Sequence, residues 1–390
     1  MKKVKLSELG EIVGGSTPAT KNIENYDGNI SWITPKDLAN YNKIFIESGE
    51  RSITEKGFKS SSTKMLPKNS VLFTSRAPIG YIAIAEKELC TNQGFKSIIP
   101  NNNVDYIFLY YLLKYNKEYI ASFGSGTTFK EVSGTVMKNI EVNIPDTIEE
   151  QKKIANILYS IDKKIELNNQ INDNLFKFAI SYIKNKIEET EVPISKFAKI
   201  QGGYAFKSKD LLDDKTNNRI IKIKNLRSEI NADVVNSQYV EDEVANSIDS
   251  KFKLNKGDVT IAMTGAELGK TGFIYGFDNY YLNQRVGVIR GKNKEGELYL
   301  KILFLSNEFQ TLLNSKGYGS AQPNISTNDI ESILINDIAE ENLKDIYERL
   351  NSVYYRIISN CEENLNLEQL RDTLLPKLMN GEIDLDKIEI

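Results

Sequence analysis

The stretch with the most overt chemical promise is "GAELGKTG", beginning at Gly265. A glycine-rich turn ending in Gly-Lys-Thr would cradle phosphate with backbone amides and reach it with the lysine. The spacing fails that requirement. Three residues separate Gly265 from Gly269 where the phosphate loop needs four, and the matching loop of the first half, "SRAPIG", has no Lys-Thr. The pairs Gly14-Gly15 and Gly202-Gly203 do not complete a GxGxxG fingerprint and suit close backbone approach at a turn. The chain contains no histidine, which removes Ser-His-Asp and Cys-His catalysis and imidazole metal ligation. Cys90 and Cys361 suggest buried, inert thiols, since two distant cysteines make neither a disulfide scaffold nor a zinc site. Glu149-Glu150 and Glu362-Glu363 fall on helical stretches, where a solvated face explains them. No Asn-Pro-Pro-Tyr or Asp-Pro-Pro-Tyr sequence of the amino-methyltransferase kind occurs. The expectation is a binding protein with no catalytic residue, metal or bound cofactor of its own.

The polar loops offer recognition chemistry instead. In the first half these are Thr34 and Lys36 of "WITPKDL", Thr74, Ser75 and Arg76 of "TSRAPIG", and Thr127, Thr128 and Lys130 of "GSGTTFK". Their counterparts are Lys222, Lys224, Asn225 and Arg227 of "IKIKNLR", Thr264 and Lys270, then Gln322 and Asn324 of "AQPN". Arginine and lysine grip guanine edges or phosphate, and Asn or Gln pairs with adenine. Singly, each is an ordinary loop residue. As a set on corresponding loops they fit nucleic-acid recognition.

That correspondence implies a duplicated chain. Val4, Leu6, Leu9, Ile12 and Gly14-Gly15 recur 188 positions later as Val192, Ile194, Phe197, Ile200 and Gly202-Gly203. "LPKNSVLFTSRAPIGYIAIA" parallels "LNKGDVTIAMTGAELGKTGFIY", and the pair Asn92-Gln93 recurs as Asn283-Gln284. Apolar flanks suggest that these amides brace their loops. Each half closes on a segment without Pro or Gly, from about Thr147 to Glu189 and from about Asn342 to Leu375. In the first, Ile154, Leu158, Ile161, Ile165, Asn168, Leu175, Phe178 and Tyr182 follow 3/4 spacing. A shift of 192 gives Ile346, Leu350, Val353, Ile357, Asn360, Leu367, Leu370 and Leu374. Sustained over several turns, this predicts two long helices pairing as a coiled coil. An antiparallel, symmetric pairing would set Asn168 against Asn360 at the centre of the seam.

The organisation expected is α+β: two tandem recognition domains of mixed α/β structure with mostly β cores, over residues 1–146 and 191–338. Each is followed by a long helix, over 147–190 and over 339–390 with the tail, and the helices pair antiparallel with pseudo-twofold symmetry. Hydrophobic residues at 40% and charged residues at 26% of 390 suit a soluble protein. No apolar run approaches membrane length and no signal core opens the chain, so the cytoplasm is expected. The net charge of −3 hides an uneven distribution. Residues 1–146 hold 18 Lys/Arg against 15 Asp/Glu, whereas residues 339–390 hold 6 against 12. The acidity sits on the last helix and tail, which permits the globular parts to meet DNA.

Taken together, "SRAPIGYIAIAEKELCTNQGFK", "PDTIEEQKKIANILYSID" and the closing "LRDTLLPKLMNGEI" resemble the specificity subunit of type I restriction-modification systems. The resemblance runs from "VKLSELGEIVGG" to "LMNGEI". It implies that each half-domain reads one half of a bipartite double-stranded DNA target in the major groove. It also implies that the helices set the gap and dock two methyltransferase subunits, joined by motor-nuclease restriction subunits. S-adenosylmethionine and ATP would be held by those partners, not by this chain. The second half departs from the family phrases at "TGAELGKTG" and "LNQRVG", as expected of a reader of a different half-site. The alternative from the residues alone is a non-enzymatic coiled-coil scaffold with two globular protein-binding heads.

Overall fold

The computed structural model describes residues 1–39, 41–126, 130–227, 230–316 and 324–385, with residues 314–316 described as backbone only. The chain divides into two compact units, Met1–Glu166 with Leu367–Ile390, and Leu167–Asn366.

In the first unit a five-stranded sheet runs in the order Gly10–Gly14, Lys96–Pro100, Val71–Phe73, Ile82–Ala85, Phe45–Ile46. Its strands are short apolar runs because both faces are covered. Val71, Phe73 and Ile84 join one cluster with Phe108 and Tyr111 of the helix Tyr106–Tyr115, while Leu72, Ala83 and Ala85 join another with Ile33 and Phe95. This is the period-two alternation of a strand with a core on each side. Asp105 starts the covering helix by accepting from the Phe108 amide at 2.8 Å. A second sheet orders Arg51–Ile53, Tyr26–Ile33 and Cys90–Thr91.

The second unit repeats this plan. One sheet orders Ala198–Gly202, Val286–Gly291, Val259–Ala262, Thr271–Phe273; the other orders Gln238–Val240, Asn218–Ile221, Tyr280–Leu282, Lys253–Leu254. In both units the second sheet contains one parallel pair, Trp32 beside Cys90 in one and Arg219 beside Tyr280 in the other. A two-stranded antiparallel ribbon completes each, Lys2–Lys5 with Glu141–Ile144 and Glu191–Pro193 with Leu334–Asn336. The duplication seen in the residues is a duplication of topology.

Two long helices, Ile148–Lys184 and Glu340–Met379, cross the division between the units. Within the first unit, Arg371 Nη1 donates to Asp162 Oδ1 at 2.6 Å, and Ile154 and Leu158 share a core with Leu375 and Leu378. Within the second, Asn168 meets Asn364, Asn172 meets Asn360 and Tyr182 meets Asp345. Numbers rise on one helix as they fall on the other, so the pairing is antiparallel. The helices are also walls of the head cores: Ile346, Leu350 and Ile357 belong to the second unit's main cluster, with Leu175 and Val353 at its edge. Ile161, Ile165, Asn168 and Asn360 are buried as the spacing predicts, and Leu367 is half-buried.

The seam departs from expectation in two respects. Phe178 and Leu370 are 51% and 48% exposed, so the 3/4 pattern there continues past the contact. Asn168 does not face Asn360. It faces Asn364, and Asn360 faces Asn172, which shifts the register by one helical turn. The seam carries a second asparagine on each helix, four residues further on, and each pair is joined by one crosswise hydrogen bond, with the buried Asn168 Oδ1 left unpartnered. Both cysteines are buried, and burial pushes the Cys90 thiol up to about 11.

Candidate nucleic-acid interface

Each unit gathers its polar loops around one short turn, at Asn92-Gln93-Gly94 in the first and Asn283-Gln284-Arg285 in the second. In the first, the Asn92 amide donates to Ile33 O at 3.0 Å, and Asn92 Oδ1 accepts from the Gly94 amide at 2.9 Å. Gly94 O accepts from the Ser75 amide at 2.7 Å, and Ser75 O accepts from the Val132 amide at 2.9 Å. In the second, the Asn283 amide donates to Ile221 O at 3.1 Å, Arg285 O accepts from Met263 at 3.0 Å, and Met263 O accepts from Ile325 at 3.0 Å. The same four loops are thus tied by the same backbone bonds, whatever side chains they carry.

Glycine is required where the first loop crosses this turn. A Cβ on Gly15 would lie 2.2 Å from Asn92 O, and one on Gly203 would lie 2.1 Å from Asn283 O. Those distances admit no side chain. Gly15 and Gly203 therefore serve close approach, as expected of the pairs, while Gly14 and Gly202 have room for a Cβ. The Asn-Gln pair divides its labour. Asn283 is buried and Asn92 half-buried, whereas Gln93 and Gln284 are exposed, Gln93 against Thr17 Oγ1.

Several predicted contact residues turn out to be braces. Thr74 and Ser75 have no exposed surface; Thr74 Oγ1 donates to Pro78 O at 2.8 Å and accepts from the Tyr81 amide at 2.9 Å, and Ser75 Oγ donates to Gly94 O at 3.3 Å. Asn225 is equally buried, donating to Asp233 O at 2.8 Å and Asn236 O at 3.2 Å and accepting from the Lys222 amide at 3.0 Å. Thr34 donates from both its amide and its hydroxyl to Asp37 Oδ2 at 2.7 Å. Asp37 and Asn225 occupy the same place in the two repeats and close the same short turn. Burial forces this role, because a polar group out of reach of solvent must bond to its own chain.

Others do present charge. Lys36 is exposed and pairs with exposed Glu50 at 2.7 Å, a contact weak enough to yield to another anion. Arg76 is 43% exposed, its Nε 2.8 Å from Glu131 Oε2, while Lys96 approaches the other oxygen at 3.4 Å. Lys130 and Lys224 are exposed. Lys222 Nζ donates to Gln238 Oε1 at 2.8 Å; burial, then the like charge of Lys224, holds its ammonium below the usual lysine range. Arg227 pairs with Asp233 and Lys270 with Glu267. Thr264 pairs in a single β-bridge with exposed Asn324, the counterpart of the bridge between Arg76 and Glu131. Thr127, Thr128 and Gln322 lie outside the described residues. The loop at Gly265 enters a strand, Thr271–Phe273, and not the helix that a phosphate loop requires.

The residue reasoning from sequence passed over is Arg285. It stands where the first unit has Gly94, on the turn that ties the loops together, and it is exposed. A single difference between the two copies of the turn was the available signal.

Fold and site together define a duplicated recognition protein: two α+β heads that hold equivalent loops alike and fill them differently. Known proteins of this description resemble it in sequence. Residues 1–176 and 187–369 both match the type I restriction modification DNA specificity domain. The chain is 33% identical to the MjaIX type I restriction enzyme specificity subunit of Methanocaldococcus jannaschii, over 98% of this chain and 94% of that protein. It is 24% identical to the MjaVIII specificity subunit of the same organism, over 97% and 92%. In fold it is similar to a type I restriction-modification S subunit from M. genitalium, with a TM-score of 0.60 at 16% identity, covering 97% of this chain and 95% of that one. The chain belongs to the family of type I restriction-modification specificity subunits. The family role is recognition of the DNA target; these subunits are non-catalytic, and methylase and nuclease activities lie on other subunits. Among the described residues no helix is long and apolar enough to cross a membrane.

Proposed function

We propose that each unit reads one half of a bipartite double-stranded DNA target, with the paired helices setting the gap between the halves. One observation carries this reading: the same backbone bonds tie the same four loops in both units, while the side chains those loops present differ. A common brace with variable contents suits two readers of two short sequences. The exposed or half-exposed groups Lys36, Arg76 and Lys130 in the first unit, and Lys222, Lys224, Arg227, Lys270 and Asn324 in the second, are the base- and phosphate-contacting candidates. Thr34, Thr74, Ser75, Asn225 and Thr264 hold the loops that carry them.

The helices dock two methyltransferase subunits, and motor-nuclease subunits join them. S-adenosylmethionine and ATP are bound by those partners, and the assembly works on cytoplasmic DNA. The test is a segment exchange. Replacing residues 191–338 with the corresponding segment of another family member, in a complex with the methyltransferase partner, changes one half of the methylated sequence and leaves the other. Retention of the whole original target, or loss of both halves together, would overturn the reading.

A further inference from the structure

We infer that Arg285 reads a guanine in the half-site recognised by the second unit, a role that has no counterpart in the first. The inference rests on the proposal that each unit reads one half-site.

Four arginines fall between residues 191 and 338, and three are committed within the chain. Arg219 lies 3.9 Å from the Phe277 ring centroid and also faces Tyr239. Arg227 pairs with Asp233, and Arg290 Nη1 lies 2.6 Å from the buried Asp258 carboxylate. Arg285 differs. It is exposed, and among the described residues its guanidinium makes no hydrogen bond, ion pair or ring contact. Its backbone is nonetheless held on both sides. The preceding Gln284 amide donates to Tyr204 O at 2.8 Å, Arg285 O accepts from Met263 at 3.0 Å, and Val286, next in the chain, donates to Asn283 O at 2.9 Å. A fixed backbone carrying an uncommitted guanidinium is the arrangement that bidentate reading needs, because the fork of donors has then only its own rotamers to order.

The first unit excludes the same device on steric grounds. Gly94 is buried, and a Cβ there would lie 2.8 Å from Pro35 Cγ and 3.0 Å from Asn92 Oδ1. The prolyl ring of Pro35 thus denies this position a side chain in one unit; Ile223 stands at its place in the other. The asymmetry is built into the turn.

The guanidinium has donors only, and the major-groove edge of guanine offers two acceptors, O6 and N7, in matching geometry. The experiment compares wild type, R285A and R285K, each assembled with the methyltransferase partner, against a library of targets varied at every position. For R285A the preference for guanine at one position of one half-site falls by roughly tenfold to a hundredfold, the other half-site being unchanged. R285K, which keeps the charge and loses the fork, also loses most of that preference. Equal weakening on all sequences would make Arg285 a phosphate contact and overturn the inference, as would full discrimination by R285K or no change in R285A. Wild type is the control for the underlying reading. If it shows no bipartite preference that reading fails; if it does and R285A keeps it, only the assignment to Arg285 fails.

Discussion

Asn360 Nδ2 donates to Asn172 Oδ1 at 2.8 Å, and the shift of 192 that relates the helices turns this bond into the one between Asn168 and Asn364, also 2.8 Å. The four residues are between 1% and 7% exposed. Buried amides at a helix seam cost stability relative to leucine and define register by demanding each other. Removing one is worse than removing two, since the survivor stays buried without its partner.

Asn360→Leu alone therefore destabilises the protein by about 1–3 kcal/mol, and the pair Asn172→Leu with Asn360→Leu recovers most of that loss. Urea unfolding of the two variants decides the point. A double variant less stable than either single one would show that these asparagines do not act as a pair.

In the first unit, Asp162 accepts from the Tyr111 hydroxyl at 2.7 Å and from Arg371 at 2.6 Å, with Lys114 3.9 Å away. Burial and the Asp162 charge hold the Tyr111 hydroxyl far above its ordinary range. Arg371→Met strands a carboxylate only 11% exposed and costs on the order of 3 kcal/mol. Combining it with Asp162→Asn restores part of the midpoint. An Arg371→Met variant as stable as wild type would mean the pair contributes nothing.

Hydrogen bonds from Tyr182, at 2.5 Å, and from Arg349, at 2.9 Å, hold the Asp345 carboxyl down to about 2. A depressed carboxyl contributes stability that is complete above its unfolded value near 4 and is lost as pH falls toward 2. Between those pH values the unfolding midpoint of wild type drops more steeply than that of Asp345→Asn. Parallel curves for the two proteins would refute the assignment.

Gly203→Ala places a Cβ against Asn283 O and forces the loop brace of the second unit apart, at a cost of about 1–3 kcal/mol. Methylation mapping should show discrimination blurred in one half-site only. Gly15→Ala does the same for the other half-site. A variant with blurred recognition of both halves would argue against independent heads.

Four residues inserted into each long helix lengthen it by roughly 6 Å. The preferred gap between the half-sites then changes while both half-sites are kept. An unchanged gap in the methylated sequence would remove the helices from the measurement of distance.

Much of this was legible in the residues. The repeat showed itself because apolar and glycine positions answer to backbone geometry that both heads share, so Gly15 and Gly203 stayed glycine and Ile33 and Ile221 stayed apolar. The long helices showed themselves because 3/4 spacing without Pro or Gly leaves few other structures open. Loop roles were less legible. Thr34, Thr74, Ser75 and Asn225 have the side chains of DNA contacts, yet three are buried and Thr34 caps a turn. Hydroxyls and amides bond equally well to a base or to their own backbone, and only surroundings distinguish the two.

What the sequence by itself determined was therefore the architecture and the family: two heads of one topology and a helix after each. Tertiary structure alone decided the register of the helices and the division between braces and presented groups. Periodicity marks which face of a helix is buried but not which turn of its partner it meets; packing of Ile154, Leu158, Ile346 and Leu350 into the head cores settles that. Whether a polar loop residue faces in or out depends on neighbours far away in sequence, as Pro35 over Gly94 shows. No local pattern carries that information, because the contact exists only once the chain has folded.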